Sequence, residues 1–137
     1  MQRSVCSLAF AVVMVGCTSV GGIQSEPLDR GVVRHFDAPP SEVRVAAYNA
    51  MLGAGLIMDE ADEVAAGTWV LVGKRTTREW TAGEIVRVVV EPADEGGALV
   101  RVLSKRRISI NITAKGDYSD EIFDQIGFQL AADAALR

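Results

Sequence analysis

Histidine and cysteine are scarce in this sequence: the 137 residues include one histidine and two cysteines. These residue types carry much of general acid–base catalysis and zinc binding, and the known zinc patterns need several of them. His35 has Asp37 close by but no nucleophile motif beside it, so a catalytic triad is not favoured. We therefore predict that the protein is not an enzyme, and an uncharacterised enzyme stays among the alternatives.

Motifs for phosphate and calcium are missing as well. Neither a G-x-G-x-x-G nor a Walker pattern occurs in the chain. One acidic run lacks the glycine turn and the closing glutamate of a calcium loop, and so predicts a solvated strand edge: Asp59, Glu60, Asp62 and Glu63. We accordingly expect no cofactor and no bound metal.

Positive charge is in the minority, with 14 basic against 18 acidic side chains and a formal net charge of −4. Nucleic-acid binding relies on a basic surface that neutralises phosphates. The densest basic cluster, Lys105-Arg106-Arg107, is only three residues long. We therefore expect no nucleic-acid partner.

The N-terminal residues have the pattern of an export signal. Arg3 precedes eight consecutive apolar residues from Leu8 to Val15. A positive residue followed by a short apolar run is typical of a secretory signal, and a bilayer-spanning helix needs about 20 apolar residues instead. Residues 1–16 are therefore predicted to be a signal peptide.

The residues Met14-Val15-Gly16-Cys17 resemble a bacterial lipobox. Cys6 lies in the signal, so Cys17 is the only cysteine left after cleavage, and an incidental cysteine behind an ordinary signal is the alternative. The resemblance implies that the Cys17 thiol receives a diacylglyceryl group, that the chain is cut before this residue, and that the new amino group is often acylated, for example with palmitate. Thr18 follows where inner-membrane lipoproteins tend to have aspartate. The resemblance thus implies a lipid-anchored protein of the outer membrane, facing the periplasm.

Residues 17–30 contain the lipidated cysteine followed by a polar stretch with two glycines and one proline, which predicts a flexible tether. A single folded domain is expected over residues 31–137, and it should fold without the tether. Alternating and helical patterns predict its elements: strands at 31–36, 56–62, 69–75, 84–91 and 98–107, a helix from Ser41 to Leu52, and a helix after Asp117 or Ser119 as cap. The segment 108–113 extends the last strand or forms another short one.

The order β-α-β-β-β-β-α predicts an α+β domain, with an antiparallel sheet of about four to five strands and two helices packed on one face. The last helix has an inward stripe: Ile122, Phe123, Ile126, Leu130 and Ala134. This order, together with the phrases GEIVRVVVEP and SKRR…NITAKGDYS, resembles small uncharacterised lipoproteins of the bacterial periplasm and outer membrane. In outline it is also similar to accessory lipoproteins of outer-membrane assembly machinery.

The second face of the sheet mixes arginine with aliphatic residues, and a merely solvated face would be more polar. We predict that it is open and binds a partner through Arg87, Val89, Leu99, Arg101 and Leu103. Three aromatic residues are either core residues or anchors for a partner: Trp69, Trp80 and Tyr118. Trp80 is expected to be the most exposed of them, because its neighbours in the sequence are polar.

These patterns favour a lipid-anchored, non-enzymatic envelope lipoprotein that acts as an interaction or accessory module. The expected partners are the membrane, through the lipid, and an envelope protein. One alternative is a carrier of a small apolar or lipid ligand in the envelope, which would need a pocket of roughly 300 Å³ or more.

Overall fold

The computed structural model describes residues 20–75, 83–106 and 117–137, with side chains from residue 22 onward. Three helices and five strands lie in these ranges, in the order α1 (Val20–Gln24), β1 (Val32–Phe36), α2 (Pro40–Gly53), β2 (Ile57–Ala65), β3 (Thr68–Arg75), β4 (Glu84–Pro92), β5 (Ala98–Arg106) and α3 (Ser119–Ala135). The strands form one antiparallel sheet in the order β1-β5-β4-β3-β2. The predicted α+β class is confirmed.

Strands form where apolar residues recur at every second position, and helices form where they recur at helical spacing. On β4, Val86, Val88 and Val90 point to the side of the sheet that α2 and α3 cover. On α3, Ile122, Phe123 and Ile126 are buried against that side, as the stripe predicts. The stripe ends at the partly buried Leu130, and Ala134 is exposed. We call this side of the sheet the helix face.

The helix starts differ from the predicted caps. Pro39 precedes α2 and makes no side-chain cap hydrogen bond, and Ser41 lies inside the helix. Pro40 takes the first helical position, where its missing N–H costs nothing because that donor has no intrahelical acceptor. At α3 the N-cap residue is Tyr118, while Asp117 Oδ1 accepts hydrogen bonds from the backbone N–H (2.9 Å) and the hydroxyl (2.5 Å) of Ser119. These bonds lower the pKa of the Asp117 carboxyl.

The β4–β5 hairpin turns through Gly96 and Gly97, with φ of 92° and 76°. These left-handed values are strained for residues with a Cβ, and at Gly97 a Cβ would also lie 2.3 Å from the carbonyl oxygen of Phe36. β4 and β5 pair antiparallel through this turn, and His35 lies beside it. Trp80, Arg107 and the predicted segment 108–113 lie outside the described residues. No helix in the described ranges is long and apolar enough to span a membrane.

Candidate functional site

The second side of the sheet is not open. Residues 22–30, which we call the strap, cross it, and α1 contributes the start of the strap. Ile23 is fully buried there among aliphatic side chains of three strands, and we call this side the strap face: Val70, Val72, Ile85, Val89 and Leu103. The prediction of a flexible tether is wrong for the strap, because Ile23 gains an apolar contact surface that the local sequence does not reveal.

Arg87 lies at the centre of the strap face and is 0 % exposed. Its cross-strand neighbours are Val72 on β3 and Leu103 on β5. Nη1 donates to the carbonyl oxygens of Ile23 (2.8 Å) and Glu26 (2.6 Å), and Nη2 donates to that of Pro27 (2.7 Å). One guanidinium therefore binds three carbonyl groups of the strap.

The chemistry of these contacts follows from the ends of helices. The carbonyl of Ile23 at the end of the short α1, and those of Glu26 and Pro27 beyond it, lack intrahelical N–H partners, and a buried carbonyl without a donor is costly. The arginine fork supplies several donors at once. Burial lowers the pKa of the Arg87 guanidinium, and the charges of Glu26 and Asp29 act in the opposite direction. The group stays charged at neutral pH, because arginine has the highest pKa of the basic side chains.

Two further polar contacts hold the strap at opposite sides of the face. Lys105 on β5 forms an ion pair with the carboxylate of Glu26, and its hydrogen bond and charge lower the pKa of that carboxyl. Gln24 donates a hydrogen bond to the carboxylate of Glu60 on β2. The strap is thus fixed to β5 and β2 as well as to Arg87 on the central strand β4.

The predicted partner face needs correction. Arg87 and Val89 are buried beneath the strap, so they are not available to a partner while the strap lies in place. Leu99, Arg101 and Leu103 are half-buried. Arg101 donates from Nη2 and Nε to Glu91 Oε1, at 3.1 and 3.2 Å, so its charge is matched within the sheet. The signal for a covered face was Arg87 itself, since an arginine flanked by valines on a β-strand requires acceptors from elsewhere.

The other singled-out residues have structural contacts. His35 Nε2 lies 2.8 Å from the carbonyl oxygen of Gly96, beside a shallow cleft of 320 Å³ at the β4–β5 turn. In the acidic run, Asp59 pairs with Lys74 at 2.8 Å, and Glu63 accepts a hydrogen bond from the backbone N–H of Gly67. Across the described ranges, no group of three or more histidine, cysteine, aspartate or glutamate residues is arranged to hold a metal ion.

Two of the three aromatic residues lie in the described part. Trp69 is partly buried, with the Arg44 guanidinium 4.4 Å from its ring centroid. Tyr118 is fully buried, and its hydroxyl donates to Glu84 Oε2 at 2.5 Å and accepts from Arg75 Nη1 at 3.4 Å. Burial and the hydrogen bond to Glu84 raise the pKa of Tyr118. Both rings therefore belong to the packing of the domain.

No protein-family model matches the chain, and no curated protein has a significantly similar sequence. An open groove lies elsewhere in the described residues, between the start of α2 and the second half of α3, with a volume of 480 Å³. Its floor includes Phe36, Leu130 and Ala131, and Arg137 pairs with Glu42 at its rim, at 2.8 Å.

Proposed function

We propose that the chain is a lipid-anchored, non-enzymatic interaction module of the bacterial outer membrane, facing the periplasm, that binds an envelope protein. The lipobox-like Met14-Val15-Gly16-Cys17 supports the anchor. The observation that carries the proposal is the docked strap: Ile23, six positions after Cys17, is a buried part of the fold. The lipid attachment site is therefore close to the folded domain rather than at the end of a long tether.

The short link limits how far the domain can lie from the bilayer. An extended chain covers at most about 3.6 Å per residue, so the six steps from Cys17 to Ile23 span about 22 Å or less. Without the docked strap, the fourteen steps from Cys17 to Gly31 would span up to about 50 Å. A domain held this close to the membrane is suited to contact neighbouring membrane-associated proteins.

Metabolic labelling with a fatty-acid analogue tests the anchor. The wild-type chain should be labelled and should fractionate with outer membranes, while Cys17→Ala should carry no label. Cys6→Ala is the matched control and should be labelled like the wild type, because residue 6 lies in the predicted signal. Equal label on the Cys17→Ala chain would contradict the proposal. Thr18→Asp should move the labelled protein to the inner membrane.

Site-specific crosslinking on intact membranes tests the interaction. A photoreactive amino acid at the half-buried Leu99 on the strap face should give a discrete crosslinked partner. The same group at Val45, which is exposed on the outer side of α2, is the control and should not. Crosslinks from Val45 but not from Leu99 would place the interaction on the helices instead.

The 480 Å³ groove beside α3 supports a carrier as a second candidate, since pockets for small ligands have volumes of about 300–1,000 Å³. A fluorescent apolar probe should then bind the protein, and Ala131→Trp should abolish that binding by filling the groove. Binding that survives the substitution would exclude this groove as a ligand site.

A further inference from the structure

Arg87 is incompletely satisfied by the strap. Its Nε–H is buried and has no hydrogen-bond partner among the described residues. Its three acceptors in the described part of the chain are neutral carbonyl oxygens, and no carboxylate of that part forms an ion pair or hydrogen bond with it. A buried cation is far better stabilised by a directly bonded anion than by neutral groups. The site therefore has the chemistry of an anion site that is occupied by a neutral ligand.

The strap shows what shape of ligand the site accepts. The Ile23 side chain fills the apolar pocket of the strap face, and the carbonyl oxygen of the same residue lies 2.8 Å from Nη1 of Arg87. A chain that ends in an aliphatic residue would place its side chain in the same pocket and its terminal carboxylate at the Ile23 carbonyl position. The second carboxylate oxygen would then accept from Nη2, which donates to the Pro27 carbonyl while the strap lies in place.

We propose that the strap face is a recognition site for the C-terminus of a partner protein that ends in an aliphatic residue, and that the strap occupies it as an internal ligand. This inference rests on the proposed interaction function. A carboxylate engages the arginine fork with two parallel, charge-assisted hydrogen bonds, which carbonyl groups on separate residues do not reproduce. Capture of a terminal carboxylate is a known mode of peptide recognition.

Release of the strap would add to the attraction for an anion. Lys105 is paired with Glu26 of the strap, so its ammonium group loses that partner when the strap leaves. Two cations, Arg87 and Lys105, would then lie on one face with the apolar pocket beside them. The covalently attached strap competes at a high effective concentration, so a free peptide binds weakly until the strap is weakened.

Fluorescence anisotropy with synthetic hexapeptides tests the proposal on the full chain in detergent micelles. The probe is a labelled peptide that ends in isoleucine with a free carboxylate, and the controls are its C-terminal amide and a peptide ending in aspartate. Ile23→Ser weakens the strap and should tighten binding of the free acid at least about tenfold over the wild type. In that variant the amide and the aspartate peptide should each bind at least about tenfold more weakly.

Arg87→Lys in the Ile23→Ser chain keeps the charge but removes the fork, and it should reduce the preference for the acid over the amide. Equal binding of acid and amide to the folded Ile23→Ser chain would overturn the proposal, and so would a failure of that chain to bind either peptide. Octanoate serves as a competitor that represents a fatty acid. If it does not displace the labelled peptide, a peptide ligand is supported. If it binds more tightly than the peptide, the proposal is overturned in favour of a fatty acid. None of these outcomes depends on Cys17 labelling, so the anchor is tested separately.

Discussion

The two faces of the sheet are covered in different ways. On the helix face, α2 and α3 contribute a continuous set of buried apolar side chains that pack against valines of β4 and β5. On the strap face, the buried side chain of Ile23 packs on the aliphatic residues, and polar bonds to Arg87, Lys105 and Glu60 add further contacts. Local stability follows the amount of apolar contact, so we expect the strap to open without unfolding of the helix face.

The two faces also differ in how directional their contacts are. The helix face excludes water through apolar packing, which has no directional requirement. The strap face places a cation and its donors in fixed positions, which favours ligands with matching acceptors. A face that a segment of the chain can cover, and that selects ligands by their acceptor groups, is suited to exchange one ligand for another. The predictions below measure how far the two faces differ.

The largest effect is expected on the helix face. Phe123 is buried between Phe36 and the Arg34 guanidinium, so Phe123→Ala should cost about 3–5 kcal/mol in the free energy of unfolding. Urea denaturation measures it. Phe128→Ala on the same helix is the control and should change stability by less than about 0.5 kcal/mol, because Phe128 is 76 % exposed. A loss below about 1 kcal/mol at Phe123 would show that this stripe is not core.

Removal of residues 1–30 measures how much the strap contributes to stability beside the helix face. The remaining chain keeps the helix face, so its thermal melt should stay cooperative, in line with the prediction that residues 31–137 fold alone. It loses the buried Ile23, so its free energy of unfolding should fall by about 2–5 kcal/mol. An unchanged free energy of unfolding would mean that the strap contributes nothing to the fold, and a non-cooperative melt would mean that the fold depends on it.

Arg87→Ala should cost about 1–3 kcal/mol, because the strap carbonyls of Ile23 and Glu26 lose the guanidinium donor and that of Pro27 keeps only the backbone N–H of Arg30. The strap should loosen as well, and limited trypsin digestion should cut after the exposed Arg30 faster than in the wild type. Arg101→Ala on the neighbouring strand is the matched control. Arg101 is half-buried and ion-paired. Its substitution should therefore lower the free energy of unfolding by at most about 1 kcal/mol and leave cleavage at Arg30 unchanged. Equal effects of the two substitutions would remove the distinction between the buried and the half-buried arginine.

The strands and the two long helices could be predicted from the sequence because period-two and helical patterns follow burial directly. Val86, Val88 and Val90 needed only their spacing to be assigned to one face. The strap could not be predicted in this way, since residues 18–30 contain glycines, a proline and few aliphatic residues. Its contacts with Arg87 join positions 60 to 64 apart, and such pairs leave no local periodicity.

The smallest effect is expected for the hydroxyl of Tyr118, which is buried on the helix face. Burial raises the pKa of Tyr118, so the fold favours its neutral form. That stabilisation is complete below the ordinary tyrosine pKa of about 10 and is lost as the pH rises through the higher folded value. Tyr118→Phe should therefore cost about 1 kcal/mol at pH 8 through the lost hydrogen bond to Glu84, and the gap to the wild type should narrow at pH 11. A gap that widens with pH would contradict the neutral, buried hydroxyl.

The strap, which follows the proposed lipid anchor, is part of the fold, and methyl NMR of the full chain in detergent micelles tests this most directly. The Ile23 methyl groups should show NOEs to the methyl groups of Val72 and Val89, since these side chains form one buried cluster. In Arg87→Ala the NOEs should weaken, while those among the buried methyl groups of the helix face stay unchanged. Random-coil shifts for Ile23, with no NOE to the sheet, would contradict the account.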